Sequence, residues 1–192
     1  MSQPDTVTAL NLPLPTREEL PEDLQKFFGK CEQKLGMIPN VLAAYSHNPE
    51  QLRTFSRFYN TLMLAPSGVS ELEREMIAVT VSSTNHCYYC QVAHGAAVRE
   101  YSGDPLLGEL MVMNYRAANL SARQRAMLDF AVKMTLASYT ITEVDRQILR
   151  DVGFSDQDIW DIANVAGFFN MSNRVASATN MQPNKEYHGL HR

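Results

Sequence analysis

Four times along this chain a serine or threonine stands three residues before an acid or amide at the head of an apolar run: Ser70 and Glu73, Ser121 and Gln124, Thr142 and Asp145, Ser155 and Asp158. In that spacing the hydroxyl satisfies a free N–H of the first helical turn while the acid or amide reaches back to the N–H of the capping residue. The Ser70 and Ser121 pairs have the full capping-box form; the other two share its spacing. Prolines add further starts, because a fixed φ and a missing N–H suit the first helical position. Pro21 opens a run whose apolar face is Leu24, Phe27, Phe28, Cys31 and Leu35, closed by Gly36. Pro39 and Pro49 open two more, the second continuing through Phe55, Phe58, Tyr59 and Leu62 until Pro66-Ser67-Gly68 stops it. The expected fold class is all-α, a compact multi-helix domain.

One segment departs from this pattern. Ile77-Ala78-Val79-Thr80-Val81 alternates as a strand would. It is assigned to a helix, because no second strand-like run exists to pair with it and a lone strand leaves its backbone groups unsatisfied. Ser70-Glu71-Leu72-Glu73-Arg74-Glu75-Met76-Ile77 also resembles Ser121-Ala122-Arg123-Gln124-Arg125-Ala126-Met127-Leu128, which hints at an internal helical duplication. A chain of 192 residues with 45% hydrophobic content can bury one substantial core. We expect a single domain over 1–192, with an N-terminal arm over about residues 1–18 and a C-terminal tail over about 180–192.

Composition excludes several function classes. A net charge of −4 with scattered lysines and arginines offers no basic stripe for a phosphate backbone, so no nucleic acid is expected. No run of about 18 apolar residues and no signal-like N-terminus is present, so neither a membrane partner nor export is expected. Three cysteines, two of them in CxxC spacing, suit a reducing compartment, and the expected location is cytoplasmic.

That pair, Cys87-Tyr88-Tyr89-Cys90, with His94 four residues on, is the segment best suited to chemistry. Two thiols at this spacing can close a disulfide, and a histidine one turn further can take or give the proton that sulfur chemistry moves. Ser82-Ser83-Thr84-Asn85 precedes it, and with Asn85 as cap of a new helix Cys87 falls in the first turn and Cys90 in the next. Free N–H groups at such a start favour a thiolate. At about 100° per residue Cys87, Cys90 and His94 share a sector of about 60°. Glu75 would lie about 18 Å from Cys87 along a straight helix, so it reaches the thiols only if the chain folds back at the Ser/Thr/Asn break. A glutamate beside His94 would raise the basicity of the histidine or hold a proton itself. The same residues also admit two buried structural cysteines, or a zinc site. Zinc is disfavoured because Cys87, Cys90 and His94 supply three ligands from one helix with no natural fourth.

Glu75, Cys87, Cys90 and His94 together reproduce the E-x11-C-x2-C-x3-H pattern of the alkylhydroperoxidase D-like proteins, within the carboxymuconolactone decarboxylase superfamily. The chain resembles the branch called peroxidase-related enzymes through Leu35-Gly36-Met37-Ile38-Pro39-Asn40, Asn48-Pro49-Glu50, Glu73-Arg74-Glu75-Met76-Ile77-Ala78 and Phe169-Asn170-Met171-Ser172-Asn173-Arg174. The resemblance implies helical protomers in trimers or hexamers, with the cysteine pair in a pocket near a subunit contact. It implies Cys90 as the peroxidatic thiolate, Cys87 as its resolving partner, and Glu75 and His94 as a proton relay. Alkylhydroperoxidase D carries a second histidine where this chain has Tyr89, and a phenol is a poor base at neutral pH. His86 projects from a different part of the expected first turn.

The expected function is a thiol-dependent peroxidase or disulfide oxidoreductase. Its partners would be a peroxide, often an organic hydroperoxide, and an external thiol reductant, either a protein or a small dithiol. No flavin, haem or nicotinamide motif is visible, and no cofactor is expected. Two alternatives stand beside it: a carboxymuconolactone decarboxylase-type lyase, which has no need of a cysteine pair, and a non-enzymatic helical oligomer with a redox-sensing CxxC. Homo-oligomerisation is expected on the further ground that polar arms often find their partners on another subunit. Elsewhere, Cys31 reads as core filler, His47 as a polar junction residue, and His188 and His191 as solvated; Trp160, Phe168 and Phe169 read as core-facing, and the charges of Glu71 to Glu75, Glu75 apart, as a solvated face.

Overall fold

Residues 3–192 are described by a computed structural model, and among them nine α-helices and no strand occur. They are α1 (Glu22–Leu35), α2 (Asn40–Tyr45), α3 (Pro49–Met63), α4 (Glu71–Thr84), α5 (Tyr88–Ser102), α6 (Pro105–Asn114), α7 (Ala122–Ala137), α8 (Glu143–Asp151) and α9 (Asp156–Ala178). All four hydroxyl-to-acid or hydroxyl-to-amide pairs head a helix. Ser70 N–H donates to Glu73 at 2.9 Å, Ser121 to Gln124 at 3.1 Å, Thr142 to Asp145 at 2.7 Å and Ser155 to Asp158 at 2.8 Å. Pro49 takes the first helical position of α3, whereas Pro21 and Pro39 stand one residue earlier as caps. Gly36 ends α1 with φ at 71°, a left-handed geometry that a Cβ disfavours.

The architecture is a helix surrounded by helices. α4 is buried continuously from Glu73 to Ser82, packed against α5, α6, α7 and α9. A helix covered on every side has no polar stripe, so its sequence loses the 3.6-residue period, and this explains why Ile77 to Val81 reads like a strand. Burial also corrects the expected solvated face: Glu73 is held by Arg123 at 3.0 Å as well as by its cap, and Arg74 donates to the carbonyls of Leu62 and Ala65. Burying these charges requires such partners. α5 and α6 approach closely where Gly108 lies over Gly95, and a Cβ on Gly108 would come within 2.9 Å of the Gly95 carbonyl. A smaller cluster joins α1, α2 and α3 through Leu24, Phe28, Leu42 and Leu52, with Cys31 at its edge, where burial pushes its thiol pKa up.

One expectation about the periphery is corrected. Trp160 is 67% exposed, because it lies about half a turn round α9 from Phe169, which is buried with Phe168. The arm and tail meet one another within the chain. Ala9 N–H donates to the Thr179 carbonyl and Gln182 N–H to that of Val7, while Lys185 pairs with Asp5 at 2.7 Å. The tail is pinned further by Asn184, whose side chain bridges Ile38 and Asn40, and by buried Arg99, which donates to the carbonyls of Tyr187 and Leu190. His188 meets the Tyr88 hydroxyl at 3.2 Å, and His191 lies 3.6 Å from Glu100. Among the described residues no helix is long and apolar enough to cross a membrane.

Candidate active site

The site forms where α4 turns into α5. Asn85 is the C-cap of α4, not the start of the next helix, and the chain reverses through His86, whose φ of 55° is left-handed. Cys87 N–H then donates to the Ser82 carbonyl at 2.9 Å, and α5 begins at Tyr88. Cys87 is therefore the N-cap and Cys90 the third residue of the helix, so both sulfurs belong to its first turn. His86 precedes the helix, exposed on the turn.

The neighbouring thiol, more than the helix head, sets the charge. The Cys90 thiol and the Cys90 backbone N–H both favour a thiolate on Cys87, Ser177 and His94 add to the effect, and together they overcome burial to hold the Cys87 pKa down to about 6. Cys90 is pushed the other way, by its hydrogen bond to Cys87, by burial and by the charge on Cys87. The reduced pair thus carries one negative charge, resting on Cys87, with Cys90 as the protonated neighbour.

The fold-back that the sequence allows for Glu75 is present. α4 and α5 lie side by side, and the His94 Nδ1–Glu75 Oε2 distance is 2.6 Å. Both side chains are largely buried, at 12% and 7% exposure. The His94 ring also meets Phe169 edge to face, with centroids 4.5 Å apart, which fixes its plane. With Nδ1 engaged, Nε2 is the nitrogen left for proton transfer.

Tyr89 stands inside the site as packing. It is buried beside Cys87, Cys90, Ala93, Ala176 and Met181, its hydroxyl accepts the Val41 N–H at 3.0 Å, and burial raises its pKa well above that of an ordinary phenol. It is thus a neutral phenol fastened to the start of α2. A depression of about 230 Å³ opens at Cys87, lined also by His86, Tyr88, Ser177, Asn180 and Gln182. Cys90 does not line it. Among the described residues no cluster of three His, Cys, Asp or Glu side chains has the geometry to hold a metal ion. Cys31 lies apart in the α1–α3 cluster, and His47 bonds the Ala44 carbonyl at a helix junction.

A polar network behind the thiols was not anticipated from the sequence. Asn85 bridges Asn170 and Asn173 of α9, and Asn173 reaches Ser82 of α4. The available signal was polar residues on a helix face that is otherwise apolar, since Asn173 falls between Phe169 and Ala176 on the buried side of α9.

Known proteins agree with this architecture. The carboxymuconolactone decarboxylase family matches residues 49–105, which run from α3 through the end of α5. An uncharacterized peroxidase-related protein from Silicibacter sp. TM1040 is 64% identical over 100% of both chains, with a TM-score of 0.96. A second, from Ralstonia eutropha JMP134, described as an alkylhydroperoxidase AhpD core, is 40% identical over 100% of this chain and 98% of its own, with a TM-score of 0.94. The debrominase Bmp8, 19% identical over 98% of this chain and 97% of its own, shares the fold at a TM-score of 0.77. The comparison with curated proteins found no match. Full-length identity, matched family segment and helical architecture together place the chain in the carboxymuconolactone decarboxylase family, among its AhpD-like, peroxidase-related members.

Proposed function

We propose that this protein is a thiol-dependent peroxidase that cycles Cys87 and Cys90 between dithiol and disulfide at the expense of an external dithiol. The observation that carries this reading is a cysteine pair in the first turn of α5, with His94 one turn beyond Cys90 and held at 2.6 Å by the buried Glu75 carboxylate. In the assignment carried over from the resemblance, Cys90 attacks. Its proton passes to the Cys87 thiolate, its sulfur forms a bond to a peroxide oxygen, the O–O bond breaks, and the departing alkoxide takes a proton from the His94–Glu75 pair. Cys87 then attacks the sulfenic acid, the S–S bond forms, and hydroxide leaves as water with the Cys87 proton. Reduction begins at Cys87, the sulfur that lines the depression, although both cysteines are buried, at 1% and 2% exposure, so an outside thiolate meets it only when the depression opens.

Turnover is the test. Consumption of an alkyl hydroperoxide is followed with dithiothreitol or a dithiol protein as donor, and many equivalents consumed per protomer supports the reading. One equivalent followed by arrest marks a redox sensor. Carbon dioxide released from a lactone acid without any thiol marks a lyase.

A further inference from the structure

We propose that residues 181–192 form a strap over the two sulfurs, hinged at Asn180, and that its lifting from the head of α5 admits an external dithiol to Cys87. The inference rests on the dithiol cycle proposed above and names the element that moves for that cycle to turn. A thiolate that reduces the disulfide brings its own sulfur into contact with that of Cys87, forms the mixed disulfide and sends the electron pair of the broken Cys87–Cys90 bond to Cys90. With Cys87 1% exposed and Cys90 2%, no such contact is made in the closed structure. Some part of the cover has to leave.

The cysteine cluster is covered by Ala176 of α9, Val41 and Ala44 of α2, Val7 of the arm, and Met181 and Tyr187 of the tail. α9 is part of the large core through Ile162, Val165 and Phe169, and α2 is anchored in the α1–α3 cluster by Leu42, so neither leaves without breaking a core. The tail has no such tie. Beyond Ala178 the described chain forms no α-helix, only a 3-10 turn over Lys185–His188, and no described residue there belongs to the large core. It leaves α9 through Asn180, whose φ of 48° puts a non-glycine residue in the left-handed region, at the end of an element where hinges form. Hydrogen bonds fasten it at two places. On one side Asn184 accepts the Asn40 N–H at 2.7 Å and donates to the Ile38 carbonyl at 2.8 Å, with Asn40 Nδ2 on the Gln182 carbonyl at 2.9 Å; on the other, Arg99 holds the carbonyls of Tyr187 and Leu190. Asn180, Met181 and Gln182 wall the depression at Cys87, and Tyr187, His188 and Arg192 wall a second, of about 150 Å³, that shares Tyr88 with it. A segment held by hydrogen bonds, outside the core, opens at a free energy well below that of global unfolding.

The test measures opening in the reduced protein at about pH 8, where Cys87 is ionised and its alkylation by iodoacetamide reads access alone. In the wild-type chain Cys87 should react more slowly than an unfolded cysteine, by the same factor that protects the Gln182 N–H, bonded to the Val7 carbonyl, from hydrogen exchange. Asn184→Ala removes two fastenings and should speed alkylation about tenfold, and dithiothreitol should reduce the Cys87–Cys90 disulfide faster by the same factor. Thr142→Ala, which removes a cap of α8 outside this site, lowers global stability and should leave both rates unchanged. Equal rates in Asn184→Ala and parent, or a rise in Thr142→Ala as large as in Asn184→Ala, would overturn the strap. So would factors for Gln182 exchange and Cys87 alkylation that differ by more than about tenfold, and that wild-type comparison decides alone if Asn184→Ala does not fold. The peroxidase reading fails separately: a chain without turnover whose Cys87 alkylation still follows the tail loses the function and keeps the strap.

Discussion

Reduced protein alkylated with iodoacetamide over a pH series, with each cysteine quantified by peptide mass, should show Cys87 reacting with a midpoint near its pKa of about 6, far below the ordinary thiol value of 9.0. At pH 7 a midpoint of about 6 leaves about nine-tenths of Cys87 as thiolate, against about one-hundredth for an unperturbed thiol. The largest contribution comes from the Cys90 thiol, followed by the Cys90 N–H, Ser177 and His94. Cys90→Ala removes the first and keeps the second. A hydrogen bond to a charged group is worth about 1.5–3 kcal/mol, or about one to two pKa units, so the midpoint should rise to roughly 7–8. The thiolate fraction at pH 7 then falls to between about a tenth and a half. A wild-type midpoint near that of free cysteine would refute the assignment of charge. So would a Cys87 midpoint that Cys90→Ala leaves in place, which would shift the credit to the helix head alone.

Further outcomes follow from other parts of the site. Glu75→Gln keeps an acceptor for His94 Nδ1 but removes the carboxylate charge, and kcat for peroxide should fall by about 10²-fold or more while circular dichroism stays unchanged. Arg99→Ala deletes two charged donors to the tail carbonyls of Tyr187 and Leu190. It should lower stability by about 2–4 kcal/mol in denaturant titration and speed alkylation of Cys90, and equal alkylation rates in variant and parent would deny the tail a shielding role. In solution we expect a homo-oligomer, the trimer or hexamer that the family resemblance implies; light scattering that returns the 21.6 kDa protomer mass would overturn it.

The helix starts were legible because they are local. Ser70, Ser121, Thr142 and Ser155 each satisfy N–H groups within three residues of themselves, and no distant contact competes with them. Cys87, Cys90 and His94 were legible for the same reason, since one helix carries them. What misled was tertiary. Asn85 has the composition of a cap, but its side chain is drawn to Asn170 and Asn173, about ninety residues on, and α5 therefore starts two residues later on Cys87. Glu73 and Arg74 look solvated until α7 supplies Arg123 and the end of α3 supplies two carbonyls. The arm and tail look unpartnered because each partner is the other, at the opposite end of the chain.

Mutual dependence of the two sulfurs also governs how the order of attack is to be measured. Cys90 is held protonated chiefly by its hydrogen bond to Cys87 and, after burial, by the charge there, so Cys87→Ser removes two of the three causes and makes Cys90 more acidic than it is in the pair. A sulfenic acid trapped at Cys90 in that variant therefore shows competence, and it overstates the rate. Cys90→Ser errs in the opposite sense, because a serine hydroxyl still donates to Cys87 but cannot resolve a sulfenic acid formed on it. The intact dithiol answers the question when it receives less than one equivalent of hydroperoxide together with a dimedone-type reagent and is digested after quenching. Label on Cys90, in competition with disulfide closure, is the expected result, since transfer of its proton to Cys87 leaves the buried sulfur as the nucleophile. Label on Cys87 would mean that the resting thiolate lining the depression attacks directly, and Cys90 would then be the resolving thiol.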